Sequence, residues 1–332
     1  MGQSSTPVHR LSIVIPVYQG ERTLPVLLKE IEPLTTEQTI RGGHRFRVTE
    51  VLLVHDCGPD RSKETIAALA QRYPWVKPVW LSKNYGQHPA TLAGMAGATG
   101  DWVVTMDEDG QQNPADIPAL LDAAMQNNVQ LVYAQPNNNP PHGLLRNLLS
   151  VSAKKIASLL IGNRNINEVN SFRLIDGEIA RSLAAYCGNS VFLDVALLWV
   201  VANICRCPVR LRREMDRPSG YSMYKLLKHF WELLLTSGTR PLRLITTIGF
   251  GSMLLAITIT VFALWMKFHL QVPVQGWTSL VIVVSFFSGC ILMALGIIAE
   301  YLAVTLTIVM GKPLYLVTAK PTHDRPQPCK QP

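Results

Sequence analysis

Two stretches near the end of this chain, residues 244–266 and 277–299, contain no charged residue. At about 1.5 Å of helical rise per residue, each is long enough to cross a hydrocarbon core of about 30 Å. A buried helix of a water-soluble domain is rarely so long and so uniformly apolar. The pair therefore dictates a chain in two parts, with a membrane part occupying the last third. The composition agrees once it is read locally. Hydrophobic residues make up 48% and charged residues 16% of the whole, but the apolar excess lies after about residue 240. Lys225, Lys228, Arg240 and Arg243 precede the first stretch, and Lys312, Lys320, Arg325 and Lys330 follow the second. The loop between them has Lys267 as its full charge. Positive residues stay on the cytoplasmic side, so the expected topology is two-pass in a membrane of bacterial inner-membrane type, with both termini cytoplasmic. The net charge of +8 fits such flanks. No basic stripe interleaved with aromatics is present, so nucleic acid is not an expected partner. The six cysteines form no CxxC pair and lack zinc-ligand spacing, which reads as free thiols.

Before residue 240 the pattern changes to alternating short elements. LSIVIPV (11–17), VTEVLLV (48–54), Val76–Leu81, WVVTM (102–106) and 129–134 read as buried strands. Between them, 23–34, 61–73, 88–98 and 115–127 carry helical patterns. Alternation of this kind predicts a mostly parallel, doubly wound sheet whose ligand site lies beyond the carboxyl ends of its strands. A further strand is expected near 208–213, and residues 144–161 look helical and basic. The segment 223–235 (MYKLLKHFWELLL) mixes aromatics, leucines and lysines as a helix lying at a bilayer surface does, although an ordinary packed helix has the same pattern. The expected organisation is a cytoplasmic globular domain over 1–222, an interfacial segment over 223–241, and two spans with a cytoplasmic tail over 242–332.

Asp107, Glu108 and Asp109, with Gln111 close behind, directly follow the strand WVVTM. Adjacent acids repel one another, and a hard divalent cation with a preference for oxygen relieves that repulsion. Taken alone, the same run also describes a solvated acidic turn capping the next helix. Asp56 follows VTEVLLV at the same sheet edge, where it can accept from a nucleobase or ribose, or simply shape the turn DCGPD. Asn84, Gln87 and His88 follow the third strand. Arg146, Arg173 and Arg217 are candidate phosphate clamps by virtue of the guanidinium fork.

Three blocks carry a resemblance: SIVIPVYQGERTLPVLL; LSKNYGQHPATLAGMAGATGDWVVTMDEDGQQNP; and RPSGYSMYK, followed by two apolar spans. Together they resemble the polyprenyl-phosphate glycosyltransferases among the family 2 glycosyltransferases, over roughly residues 11–316. The resemblance implies the nucleotide-diphospho-sugar transferase fold, often called GT-A. It implies an inverting enzyme that moves a sugar from a nucleotide donor, with UDP-sugars favoured, to undecaprenyl or dolichyl phosphate. By the same resemblance Pro16, Tyr18, Glu21, Asp56, Asn84, Gln87 and Asp107 meet the nucleotide sugar. Asp107, Asp109 and Gln111 hold Mg²⁺ or Mn²⁺. Arg146, Ser150 and Arg217 meet the acceptor phosphate, and Asp107, Asp109, Arg173 and Arg217 form the catalytic set. A homo-oligomer is compatible with two thin spans. Two alternatives share these features: a catalytically inactive relative that binds nucleotide sugar or lipid, and a transferase acting on a different membrane acceptor.

Overall fold

The computed structural model describes residues 7–137, 170–188, 192–212 and 276–321, together with isolated helical positions between 251 and 265. Two compact units are formed. One comprises Met1–Val151, Asn165–Tyr221 and Pro313–Pro332; the other comprises Ser152–Arg164 and Ser222–Lys312.

The first unit is built on a nine-stranded sheet. In chain order its elements are β1 (Val8–Val17), α1 (Leu24–Ile31), β2 (Gln38–Thr39), β3 (Arg45–His55), α2 (Ser62–Arg72), β4 (Val76–Leu81), α3 (Gln87–Gly97), β5 (Trp102–Thr105), α4 (Ile117–Asn127), β6 (Leu131–Pro136), β7 (Arg173–Asp176), α5 (Gly177–Tyr186), α6 (Leu193–Val200), β8 (Ile204–Val209) and β9 (Val317–Thr318). The strand order is β8-β6-β7-β5-β1-β3-β4-β9, with β2 paired to β3. Strands β1, β3, β4, β5, β6 and β8 share one direction, whereas β7, β9 and β2 oppose it. The mostly parallel, doubly wound sheet read from the alternation is the sheet found.

Strand β1 shows why the alternation was legible. Leu11, Ile13, Ile15 and Val17 enter one apolar cluster with α1, α2 and α4, while Val14 enters the opposite cluster with α3, α5 and α6. A strand covered on both faces must be apolar throughout, hence the unbroken β-branched runs. The small-residue helix α3 packs tightly for the reason its composition suggested. A Cβ on Gly94 would lie 2.3 Å from Val14 Cγ1, so helix and strand approach closer than any larger residue allows.

Two elements depart from expectation. Strand β8 runs over Ile204–Val209, earlier than 208–213. Pro208 is tolerated because β8 is an edge strand, and by Arg212 the chain has already left the sheet to bond the Gln111 carbonyl. The antiparallel β7 and β9 have no counterpart in the sequence reading. β7 is four residues long and lies between β5 and β6. That is too short for any period to show.

In the second unit, helix α7 (Trp277–Val309) starts where the second span was expected and continues past 299 through Glu300. Its stretch Phe286–Leu306 is long and apolar enough to cross a membrane, and none of it is buried inside the structure. The expected span 244–266 lies outside the described residues apart from isolated helical positions, and so do the 144–161 helix and the 223–235 segment.

Candidate active site

All six same-direction strands deliver their carboxyl ends to one edge, and the loops after β1, β3, β4 and β5 build a cleft there. Its volume is about 500 Å³, and its lining includes Pro16, Val17, Tyr18, Asp56, Asn84, Gly86, Gln87, Asp107, Glu108 and Asp109. Seven residues picked from the sequence therefore meet: Pro16, Tyr18, Asp56, Asn84, Gln87, Asp107 and Asp109.

The three adjacent acids part company. Glu108 turns inward, where its carboxylate accepts from the backbone amides of Tyr18 (3.0 Å) and Gln19 (2.9 Å). It thereby fixes the loop after β1 against the loop after β5. Asp107 accepts from the Ser171 hydroxyl at 2.5 Å, the Gln112 side-chain amide at 2.9 Å and the Gln87 side-chain amide at 2.7 Å. Burial pushes Asp107 up to about 6; the nearby charge of Asp109 adds to the rise, while Ser171, Arg173 and Gln112 oppose it. Asp109 accepts from the Gln111 backbone amide at 3.0 Å. Gly110 then turns the loop at φ 74°, a left-handed conformation that glycine adopts without strain.

Asp56 is buried at the end of β3, and its two carboxylate oxygens accept from the amides of Tyr85 (2.7 Å) and Gly86 (2.8 Å). Burial raises it to about 6, against the lowering effect of those two amides. Asp56 thus ties the loop after β3 to the loop after β4. Next to it, Gly58 lets the chain pass against Tyr18, where an added Cβ would sit 1.4 Å from the Tyr18 carbonyl oxygen.

Several expected residues do other work. Glu21 does not line the cleft: its amide donates to Asp60 and its carboxylate accepts from the Arg61 amide, bracing the first loop from behind. Gln111 contributes backbone bonds to Asp109 and Arg212, and it is Gln112 whose side chain grips Asp107. Arg173 is buried behind the cleft. Its guanidinium donates to Thr105 Oγ1 at 3.0 Å and pairs with Asp194, which also accepts from the Tyr133 hydroxyl at 3.0 Å. The structure thus gives Arg173 a supporting position near Asp107 and none on the cleft wall. His88 packs edge-on against Phe192, with ring centroids 4.9 Å apart. Arg146, Ser150 and Arg217 lie outside the described residues.

Ser171 escaped the sequence reading. It precedes β7, whose Arg173 pairs with Thr105 at the end of β5. An antiparallel strand brings its amino end to the edge where parallel strands bring their carboxyl ends, so the segment before β7 joins the site. Nothing in the local sequence marks that reversal.

Sheet, cleft and paired acids together have the form of a nucleotide-diphospho-sugar transferase domain. The profile of the family described as "Glycosyl transferase family 2" matches residues 12–183, and the chain belongs to that family. Among its relatives is the undecaprenyl-phosphate 4-deoxy-4-formamido-L-arabinose transferase of Pseudomonas paraeruginosa, 30% identical over 94% of this chain and 90% of that one. Another is the bactoprenol glucosyl transferase of Shigella phage SfII, 26% identical over 93% of this chain and 97% of that one. A solved glucosyl-3-phosphoglycerate synthase from Mycobacterium tuberculosis superposes more loosely, with a TM-score of 0.49 at 17% identity, over 70% of this chain and 80% of that one.

Proposed function

We propose that this glycosyltransferase moves a sugar from a nucleotide donor, a UDP-sugar by preference, to the phosphate of a polyprenyl lipid at the cytoplasmic membrane face. The observation that carries the reading is the meeting of Asp107 and Asp109 with Asp56 in one cleft at the carboxyl ends of parallel strands. The relatives' names, which specify undecaprenyl phosphate and bactoprenol, support the lipid acceptor.

The residues present suit a divalent cation. Asp107 and Asp109 share the cleft wall, and each raises the electrostatic need for a positive charge there. A cation of the Mg²⁺ or Mn²⁺ kind takes one or two carboxylates and completes its shell with phosphate oxygens and water. When bound, it neutralises the departing nucleoside diphosphate. The chain's own residues do the rest. Glu108 holds Tyr18 and the first loop against the donor, and Asp56 holds the Asn84–Gln87 loop opposite. Ser171, Gln112 and Gln87 keep the Asp107 carboxylate turned towards the cleft. A lipid phosphate with a second pKa of about 6 is already an anion at neutral pH and needs no base. Catalysis then rests on positioning and fixed charge, with direct displacement and inversion at the sugar. Arg146, Ser150 and Arg217 are the expected acceptor clamp. Helix α7 and the stretch 244–266 anchor the enzyme as two spans.

A panel of nucleotide sugars offered with undecaprenyl phosphate tests the proposal, with lipid-linked sugar read by mass spectrometry. At least one donor should yield a sugar phosphodiester of the lipid. If donors are hydrolysed or bound but never transferred to the lipid phosphate, the acceptor assignment fails. If donors are bound but neither hydrolysed nor transferred, the inactive-relative alternative stands, and if none is bound, the donor-site reading fails.

A further inference from the structure

After helix α7 the chain returns to the catalytic sheet. Leu314 and Tyr315 pack against the apolar cluster formed with α3, α5 and α6. The chain then runs antiparallel to β4, with Leu81 opposite Val317 and Trp80 opposite Thr318. The Ser82 amide donates to the Leu316 carbonyl at 2.9 Å, and the Thr318 hydroxyl donates to the Trp80 carbonyl at 3.3 Å. Ser82 is the first residue beyond β4 and the start of the loop that enters the cleft.

Beyond Ser82 the loop is held by further hydrogen bonds, to Asp56 and, separately, to Asp107. The hydroxyls of Ser82 and Tyr85 share a bond of 2.8 Å. The Tyr85 ring packs on the same cluster as Leu314 and Tyr315, with the Lys83 ammonium 5.2 Å from its centroid. The Tyr85 amide donates to Asp56 at 2.7 Å. Asn84, Gly86 and Gln87 from this loop line the cleft, and Gln87 holds Asp107.

We propose that the tail segment Leu314–Thr318 is a positioning element of the donor site: docked on β4, it fixes Ser82 and through it Tyr85, and so sets the 84–87 loop that receives the nucleotide sugar. This rests on the reading of the cleft as the donor site. The tail follows the end of α7 by only a few residues. A two-residue pairing at a sheet edge is weak by itself. Its attachment therefore depends on Leu314 and Tyr315, and the geometry of the loop depends on that attachment.

The test uses the full-length protein in lipid nanodiscs. Tyr85→Phe keeps the ring and removes the hydroxyl, and Ser82→Ala removes the other half of the bond. Each should raise the donor KM about fivefold, the factor one ordinary hydrogen bond supplies, with kcat within about twofold of wild type. Because both act through one bond, the double variant should be no worse than either single one. Leu314→Ser with Tyr315→Ser, which unpins the tail, should raise donor KM at least as much and quicken hydrogen exchange at the Tyr85 and Gly86 amides. A lower melting temperature with donor KM unchanged in all variants would overturn the proposal and leave the tail a packing element. Additive effects of Tyr85→Phe and Ser82→Ala would break the relay. Wild-type protein that fails to bind any nucleotide sugar would instead sink the donor-site reading itself.

Discussion

Ser171→Ala isolates the support behind the acid pair. The hydroxyl of Ser171 donates to Asp107 at 2.5 Å and accepts from Gln112 at 2.9 Å. Its carbonyl accepts from Thr105 Oγ1 at 2.6 Å, a bond that alanine retains. The substitution therefore deletes the hydroxyl's bonds to Asp107, Gln112 and Asn170 and keeps the backbone bond before β7. A hydrogen bond to an ionised group contributes about 1.5–3 kcal/mol. Here it favours the charged carboxylate, so its loss makes Asp107 hold a proton more tightly and a cation less tightly. The expected result is about a tenfold to hundredfold rise in the Mn²⁺ concentration that half-saturates donor turnover. Gln112 and Gln87 still grip Asp107, so the fold should persist with a melting temperature lowered by about 3–10 °C. The assay is turnover of the purified full-length enzyme against Mn²⁺ concentration, with a thermal melt alongside. A half-saturating concentration within about twofold of wild type, with the fold intact, would show that Ser171 does not set the metal-binding carboxylate.

Glu108→Gln should separate the middle acid from its neighbours. An amide in place of a carboxylate that accepts two backbone N–H groups leaves a donor facing donors, a loss of about 1–3 kcal/mol. Stability and donor KM should both suffer, while the Mn²⁺ requirement per bound donor stays as in wild type; a changed metal requirement alone would place Glu108 among the ligands. Asp56→Asn carries a pH signature. Burial lifts Asp56 from 3.8 to about 6 in the folded chain. The folded state thus binds this proton more tightly than the unfolded one. Through this group, stability is fully gained below the unfolded value and lost as pH rises through the folded one, by about 3 kcal/mol in all. Wild-type melting temperature relative to Asp56→Asn should therefore rise between about pH 7.5 and about pH 4.5, and a parallel pair of melting curves would refute the raised value.

What could be read from the sequence was whatever a short window of residues decides. Strand β1 and the second half of β3 announce themselves because burial on both faces demands unbroken apolar runs, and the carboxyl ends of parallel strands fall on one edge. Asp56, Asn84, Gln87, Asp107 and Asp109 are legible because each sits shortly past a strand, whereas Pro16 and Tyr18 are legible only through the family resemblance of the first loop. Residues whose role depends on a reversal of chain direction stayed hidden. Ser171 enters beside the short antiparallel β7, and Leu314–Thr318 pairs with β4 although Thr318 follows Trp80 by 238 residues in the chain. The part of Gln112 depends on which way one loop faces after Gly110, which composition does not record, so the sequence points to Gln111 instead. Arg173 looks like a phosphate clamp in sequence because the guanidinium fork suits that task. Its pairing with Asp194 could be seen only once β7 and helix α6 were side by side.

The central claim is that Asp107 and Asp109 together hold one divalent cation where the donor diphosphate must sit. Electron paramagnetic resonance of Mn²⁺ added to the full-length protein reads this directly, with and without a nucleoside diphosphate. The account predicts tight Mn²⁺ binding that strengthens with the nucleotide present and is lost in Asp109→Ala protein of unchanged melting temperature. Equal Mn²⁺ binding by wild type and Asp109→Ala, indifferent to the nucleotide, would contradict it.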